Sequence, residues 1–283
     1  ANEQFINVRA ADLVEDTLEK QGIAPLRSGT LAIAASATSD IRFVVPIVFP
    51  PTGISPAQQI GYLLDAPNYN NLALQIVAAD PASVFTGQTG TIAMSAYGSS
   101  TGTPRIRVYG IFAQAGASQF SGFVPARVWR YFHENVSTAL TSSATAVALE
   151  NVSVGNYLRS ILVKAGVKST ATTAGYNAYN SLSNTILANL KLTRGLNKYI
   201  QFLADMYGLQ YANAQFYRIN PSTGYGLVDW CPRGTLATLF NTVSLVSGST
   251  GDTSVQFVAD VVGASNQGAV FVYEELRGQP VTQ

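Results

Sequence analysis

The chain holds one histidine, His133, and one cysteine, Cys231. A Ser-His-Asp or Cys-His arrangement for nucleophilic catalysis would have to run through His133, which must accept the nucleophile's proton. His133 stands beside Glu134 in a stretch with helical spacing, where a helix-surface or interface histidine is the simpler reading. Histidine-based metal centres need more than one such ligand. A lone thiol forms neither an internal disulfide nor a thiolate cluster, and Cys231 fits a small buried or semi-buried side chain. Neither a GxGxxG fingerprint nor a GxxxxGK[ST] phosphate loop occurs. The nearest look-alike, Gly87-Gln88-Thr89-Gly90, has no lysine and sits in a turn. The expectation is no catalytic residue, no metal and no cofactor.

Paired carboxylates are the remaining catalytic option, since two acids at the right separation hydrolyse glycosides. The acids of the β regions are Asp40, Asp65, Asp80, Asp205, Asp229, Asp252, Asp260, Glu274 and Glu275. Most sit beside Gly, Pro or Ser, where Asp is expected for backbone reasons. Asp229, next to Trp230, and Glu274 are the two singled out for their strand positions. Fourteen Tyr and thirteen Phe allow stacking on bases or sugars. Core filling and subunit contacts explain them more simply.

Charged residues make up 12% of the 283-residue chain, about half the usual ~25%. Such a surface is weakly self-repelling and suits packing against neighbours. The net charge of +1 argues against the phosphate attraction on which nucleic-acid binders rely, so no specific nucleic-acid partner is expected. Up to Lys20, the acids Glu3, Asp12, Glu15, Asp16 and Glu19 outnumber Arg9 and Lys20. From Arg127 to Arg218 bases outnumber acids nine to three. Acidic arm and basic middle are complementary, which suits attraction between subunits or simply solvated faces. The lone cysteine fits folding in a reducing cytoplasm. No apolar run reaches the ~20 residues that span a bilayer, and no signal peptide is expected. Asn135-Val136-Ser137 and Asn151-Val152-Ser153 match the glycosylation pattern and are read as chance.

The elements that would position these residues are mostly strands. Leu13, Val14 and Leu18 predict a helix over 10–21 stopped by Gly22, free to dock on its own domain or on a neighbour. Apolar, β-branched runs predict strands at 31–35, 41–49, 60–64, 72–79, 91–97 and 105–114, separated by Gly/Pro turns. In the last of these, Ile106 and Val108 alternate with Arg105, Arg107 and Tyr109, as in a half-buried strand. Val128, Phe132, Val136 and Leu140 stand four apart and predict a connector helix over 125–140, with Pro125 in its first turn. A second β set follows at 157–165, 185–193, 225–230, 235–245, 255–262 and 269–275. Within it 169–183 reads as an exposed loop and 196–207 as a helix. Short strands at regular spacing indicate sandwiches or barrels. The predicted organisation is an arm (1–26), a first barrel (27–118), a connector (119–150), a second barrel (151–277) and a tail (278–283).

The segments VPARVWRYFHENVSTAL (124–140), GNYLRSILVKAG (155–166), TILANLKLTRGLNKYI (185–200) and STGYGLVDWCPRGTLATLFNTV (222–243) carry a resemblance, closed by VQFVADVV (255–262) and AVFVYEEL (269–276). In order and pattern they resemble the double jelly-roll major capsid proteins of tailless, membrane-containing icosahedral phages of the corticovirus and tectivirus types. The resemblance covers roughly the C-terminal half. It implies an all-β protein with a few short helices and two jelly-roll β-barrels side by side. It also implies a homotrimer of pseudo-hexagonal outline that assembles into a virion shell. Minor capsid and vertex proteins would be further partners, and an internal lipid membrane would lie beneath the N-terminal arm.

The expected function is therefore a non-enzymatic major capsid protein of a virion, made in the host cytoplasm. The interface candidates are Phe5, Leu13 and Leu18 in the arm and Arg127, Trp129 and Arg130 at the connector, Arg and Trp being typical interface anchors. Two other classes fit the same composition. One is a viral spike or a lectin-like carbohydrate-binding β-sandwich using Tyr and Trp. The other is a glycan-cleaving sandwich using Asp229 and Glu274.

Overall fold

The computed structural model describes residues 6–22, 27–28, 42–47, 73–77, 106–110, 128–140, 142–152, 157–168, 179–194, 198–230, 240–241, 255–263 and 267–278. In chain order the elements are β1 (Ile6–Asn7), α1 (Ala10–Gln21), β2 (Arg27–Ser28), β3 (Arg42–Phe43), β4 (Val128–Ala139) and β5 (Ala144–Val152). They continue with β6 (Tyr157–Lys168), β7 (Tyr179–Leu182), β8 (Leu187–Arg194), β9 (Lys198–Ala204) and α2 (Met206–Tyr217). The last are β10 (Tyr225–Asp229), β11 (Phe240–Asn241), β12 (Val255–Val261) and β13 (Gln267–Gly278). The described residues are mostly β, with two short helices among them.

The first sheet runs β1-β4-β13-β6-β10, with β11 and β7 also paired to β6. The second runs β5-β12-β8-β9, and β2 and β3 form a separate ribbon. Among the described residues every pairing is antiparallel except that of β1 with β4, which is parallel. Among the principal strands of residues 128–278 the order is nested. The first, β4, pairs the last, β13. The second, β5, pairs the next to last, β12. β6 then pairs β10, and the innermost β8 pairs β9. Successive nested pairs fall alternately in the two sheets. This is one long antiparallel ribbon wound on itself, the eight-stranded jelly-roll winding.

The two sheets share one apolar core. Ile161, Val163 and Ala165 of β6 and Ala269, Phe271 and Tyr273 of β13 meet Leu190 and Leu192 of β8 and Phe257, Ala259 and Val261 of β12. The alternation of these residues along each strand is the period-2 signature of a sheet with distinct faces. Phe257 and Phe271 touch across the layers, ring centroids 5.0 Å apart and tilted by 36°. Leu162, Val270, Val272, Tyr225 and Leu227 form a second cluster beneath α1, with Leu13.

Several expected elements are confirmed: α1 over 10–21, stopped by Gly22 in the left-handed region at φ 66°, and strands β6, β8, β10, β12 and β13. The connector helix is corrected. Residues 128–139 are strand β4, bonded along their length to β13, and β5 follows within the segment read as connector. A four-residue apolar spacing satisfies a strand's even-numbered face as well as a helix's, and β13 supplies the long partner that decides between them. The helix expected over 196–207 is likewise strand β9, with α2 beginning after Asp205. Tyr179–Leu182, placed in an exposed loop, pairs with β6.

Of the expected first-half strands, Arg42–Phe43 is a strand, whereas 73–77 and 106–110 carry no regular structure and are exposed. Alternation supplies a strand's faces but not its hydrogen-bonding neighbour, and among the described residues neither segment has one. The strands expected at 31–35, 60–64 and 91–97 lie outside the described residues.

Candidate functional site

The main concentration of charge among the described residues lies between α1 and the outer face of the first sheet. α1 buries Asp12, Leu13, Glu15, Asp16, Thr17, Glu19 and Lys20. Its docked face is thus almost wholly polar, although Leu13, Val14 and Leu18 set its helical period. Leu13 packs on the second core cluster, and Val14 and Leu18 are half-buried. The sheet explains this orientation, since it presents cations and hydroxyls to the helix. Lys164 Nζ bonds Asp12 Oδ1 at 3.2 Å, and the Tyr225 hydroxyl donates to the same oxygen at 2.9 Å. Lys20 is paired with both Asp16 and Glu274. The Ser222 N–H and hydroxyl both donate to the Glu15 carboxylate, at 3.1 and 2.8 Å. The complementarity of acidic arm and basic middle is therefore used within the chain.

A bulge sets the centre of the cluster. Register between β6 and β13 slips between Glu274, opposite Ser160, and Glu275, opposite Leu158. Arg159 is the extra residue, and a bulge of this kind re-aims a side chain. Its guanidinium lies 3.5 Å from Glu274 Oε1 and 3.9 Å from Asp229 Oδ2. Ser160 Oγ donates to Glu274 Oε2 at 3.1 Å, and the Tyr217 hydroxyl donates to Asp229. The two strand acids singled out in the sequence do converge, but on a shared arginine. A glycosidase needs one carboxyl protonated and one free to face the sugar. Here both are buried and committed to cations and hydroxyls, so the arrangement holds a helix on a sheet.

Burial dominates the titration of this face. It pushes the Glu15 carboxyl upward against the opposing bonds from Ser222. Burial, reinforced by Glu15 and Asp16, pushes Glu19 up to about 8. The Tyr225 phenol is raised by burial and then by Asp12. The Tyr217 phenol is raised by burial and then by Asp229. Both phenols therefore remain hydrogen-bond donors.

A second polar device seals the edge of the first sheet. α2 begins at Asp205, whose carboxylate caps the helix by accepting from Gly208 N–H at 2.7 Å. α2 lies along β10, an edge strand whose open backbone groups would otherwise invite pairing. Asn213 Oδ1 accepts from Leu227 N–H at 2.9 Å and its Nδ2 donates to Leu227 C=O at 2.7 Å. Gln210 Nε2 donates to Tyr225 C=O at 2.7 Å. Entry to β10 requires glycine at 224, where φ is 75° and a Cβ would meet Ala165 O at 2.7 Å. Replacing Asn213 by alanine leaves two buried backbone groups of Leu227 without partners. The expected loss is about 2–6 kcal/mol of unfolding free energy at 1–3 kcal/mol per orphaned group, measured by urea denaturation. A loss below ~1 kcal/mol would show that water replaces the amide.

The sequence-nominated interface residues are dispersed. Leu13 and Leu18 lie in α1. Trp129 and Arg130 lie in β4, opposite Arg277 and Leu276 of β13. His133, also in β4, stands opposite Tyr273 and beside Asn7 of β1. Phe5, Arg127 and Cys231 lie outside the described residues. Arg159, Lys164, Asn213 and Gln210 were not nominated. The signal available for the first two was a cation within an otherwise apolar strand run, YLRSILVKAG (157–166). Among the described residues no group of three or more His, Cys, Asp and Glu side chains is placed to hold a metal ion. None of their helices is long and apolar enough to cross a membrane.

No family model matches the sequence, and no curated protein matches it. Solved structures to which the chain is similar include the STIV MCP, with 15% identity over 54% of this chain and 42% of that one and a TM-score of 0.39. A Sulfolobus Turreted Icosahedral Virus structure shares 16% identity over 56% of this chain and 42% of that one, also with a TM-score of 0.39. The major capsid protein of bacteriophage PM2 shares 9% identity over 53% of this chain and 51% of that one, with a TM-score of 0.32. The chain thus spans about two fifths to half of the length of these neighbours. The chain's own jelly-roll assignment rests on its nested strand order.

Proposed function

We propose that this protein is a major capsid protein, an assembly subunit without turnover. The observation that carries the reading is the nested jelly-roll winding of residues 128–278, an architecture suited to building shells from blocks with managed sheet edges. A fold alone does not fix function, and two further features favour this use. The chain is poor in charge, which suits surfaces that spend their life against neighbours. Its strand carboxylates, Asp229 and Glu274, serve structure. In this reading residues 27–118 supply the first jelly roll, beside the one wound from residues 128–278, and three copies close by rotation into a pseudo-hexagonal block. The block tiles an icosahedral virion shell with minor and vertex proteins. Phe5, Arg127, Trp129 and Arg130 are the proposed contact residues. The acidic face of α1 is spent on its own sheet, so lipid contact through that helix is not part of the reading.

Light scattering on the purified full chain, with electron imaging of the same material, tests the proposal. The expected result is a particle of about 90 kDa, three copies of 30.0 kDa, or hexagonal capsomers and shells. A stable monomer that binds a glycan saturably would replace this reading with a sugar-binding module. A hydrolytic activity abolished by Asp229→Asn would replace it with an enzyme.

A further inference from the structure

Glu19 is a fully buried carboxyl, and neither of its oxygens has a hydrogen-bond partner among the described residues. It occupies the helix face that α1 turns to the protein, next to Glu15, Asp16 and Lys20. The charged and titratable groups packed around this face come from every neighbouring element. α1 itself brings Asp12, Glu15, Asp16 and Lys20. β6 brings Arg159 and Lys164, β10 brings Tyr225 and Asp229, β13 brings Glu274, and α2 brings Tyr217. Lys20 is shared between Asp16 and Glu274, and Lys164 is engaged by Asp12. A charge on Glu19 would add a further anion to a dry face whose cations are already spoken for. Uncompensated buried charge is among the most costly features a protein can carry.

We propose that α1 is a pH-releasable arm, held on the sheet while Glu19 carries its proton and freed when Glu19 ionises. The geometry makes release local. α1 meets the protein through a mostly polar face whose one buried apolar side chain is Leu13. It is preceded only by the two-residue strand β1 among the described residues, and it ends at a left-handed glycine. The jelly-roll core does not depend on it, since Phe257, Phe271 and their neighbours lie on the other face of the first sheet. The sign of the effect follows from linkage. The docked arm keeps the Glu19 proton up to about pH 8, whereas a carboxyl in water gives it up near 4.5. Docking is strongest at and below the lower value and weakens as pH rises to the upper one. The inference concerns this chain alone and stands whether or not the protein builds capsids.

Trypsin reads the release directly. Lys20 is buried while α1 is docked, so cleavage after it reports local opening. Lys164, buried in β6, reports global unfolding. The cleavage rate after Lys20 in the full chain is followed from pH 7 to pH 9, normalised to the rate on a short lysine peptide at each pH. That window lies above the ordinary ~6.5 of histidine. The expected result is a rise of about tenfold with Lys164 uncut, and a rise below about twofold in Glu19→Gln, whose amide cannot ionise. Glu19→Met serves the same purpose if the glutamine variant does not fold. A flat profile in the native chain, or an equal rise in a folded Glu19 variant, overturns the proposal.

Discussion

Replacing Glu274 by alanine is expected to be among the most destabilising single changes in the protein, costing about 3–5 kcal/mol. Glu274 is fully buried and serves as common acceptor for Lys20, Arg159 and Ser160. Its removal leaves two cations in a water-poor layer. Asp16 remains beside Lys20, and Asp229 remains 3.9 Å from Arg159, so the loss stays finite. Glu274→Gln keeps an acceptor in place and should cost less. The pair Lys20→Met with Glu274→Met should recover much of the alanine loss, because a buried ion pair replaced by packed apolar groups is often neutral. Urea denaturation of the single and double variants gives the coupling. A loss under ~1 kcal/mol for the alanine variant would mean that water reaches the cluster and that the cations were never stranded.

The second large effect lies in the opposite layer. Phe271→Ala should cost about 3–5 kcal/mol, since the ring is fully buried and touches Phe257 across the two sheets. Truncation removes apolar transfer energy and leaves a cavity between layers that are held apart by other side chains. Phe271→Leu should retain most of the stability. Tyr211→Ala on the exposed flank of α2 should stay within ~0.5 kcal/mol. Thermal and denaturant unfolding of the three variants tests the contrast. An alanine cost no larger than that of Tyr211→Ala would place Phe271 outside the core shared by the two sheets.

These two sites also separate what could be read along the chain from what could not. The strands of the C-terminal half were legible because their residues state both class and boundaries. Runs such as Tyr157–Ala165 and Ala269–Glu275 are apolar, β-branched and bounded by turn residues. Helix α1 was legible for the same reason, with a 3.6-residue period closed by Gly22. Ambiguity arose where period and partner disagree. Val128, Phe132, Val136 and Leu140 share one face of a helix, and equally one face of a strand. Only a twelve-residue partner at β13, more than a hundred residues away, selects the strand. Tyr199 and Leu203, four apart, misled in the same way beside β8.

The candidate site was the least legible part. Asp229 and Glu274 were picked out by their strand positions, but the arginine that joins them is placed by a bulge. A bulge is a mismatch in length between two strands and leaves no mark on either alone. The charges of α1 looked like a solvated face because a helix period reports only where apolar residues fall. Which face is buried depends on what lies opposite, and here the sheet offers Lys164, Tyr225 and Glu274 and the turn before β10 offers Ser222.

By itself, then, the sequence determined a mostly β chain with few charges, a single histidine and a single cysteine, and an acidic helix ahead of a basic middle. These are properties of composition and local period, which survive without knowledge of partners. The tertiary structure alone decided that the strands nest first to last, that the acidic helix meets the basic residues of its own chain, and that the two strand acids are consumed by one arginine. Each depends on contacts between residues far apart in the chain. Their energies come from desolvation and pairing at a distance, which no window of neighbouring residues contains.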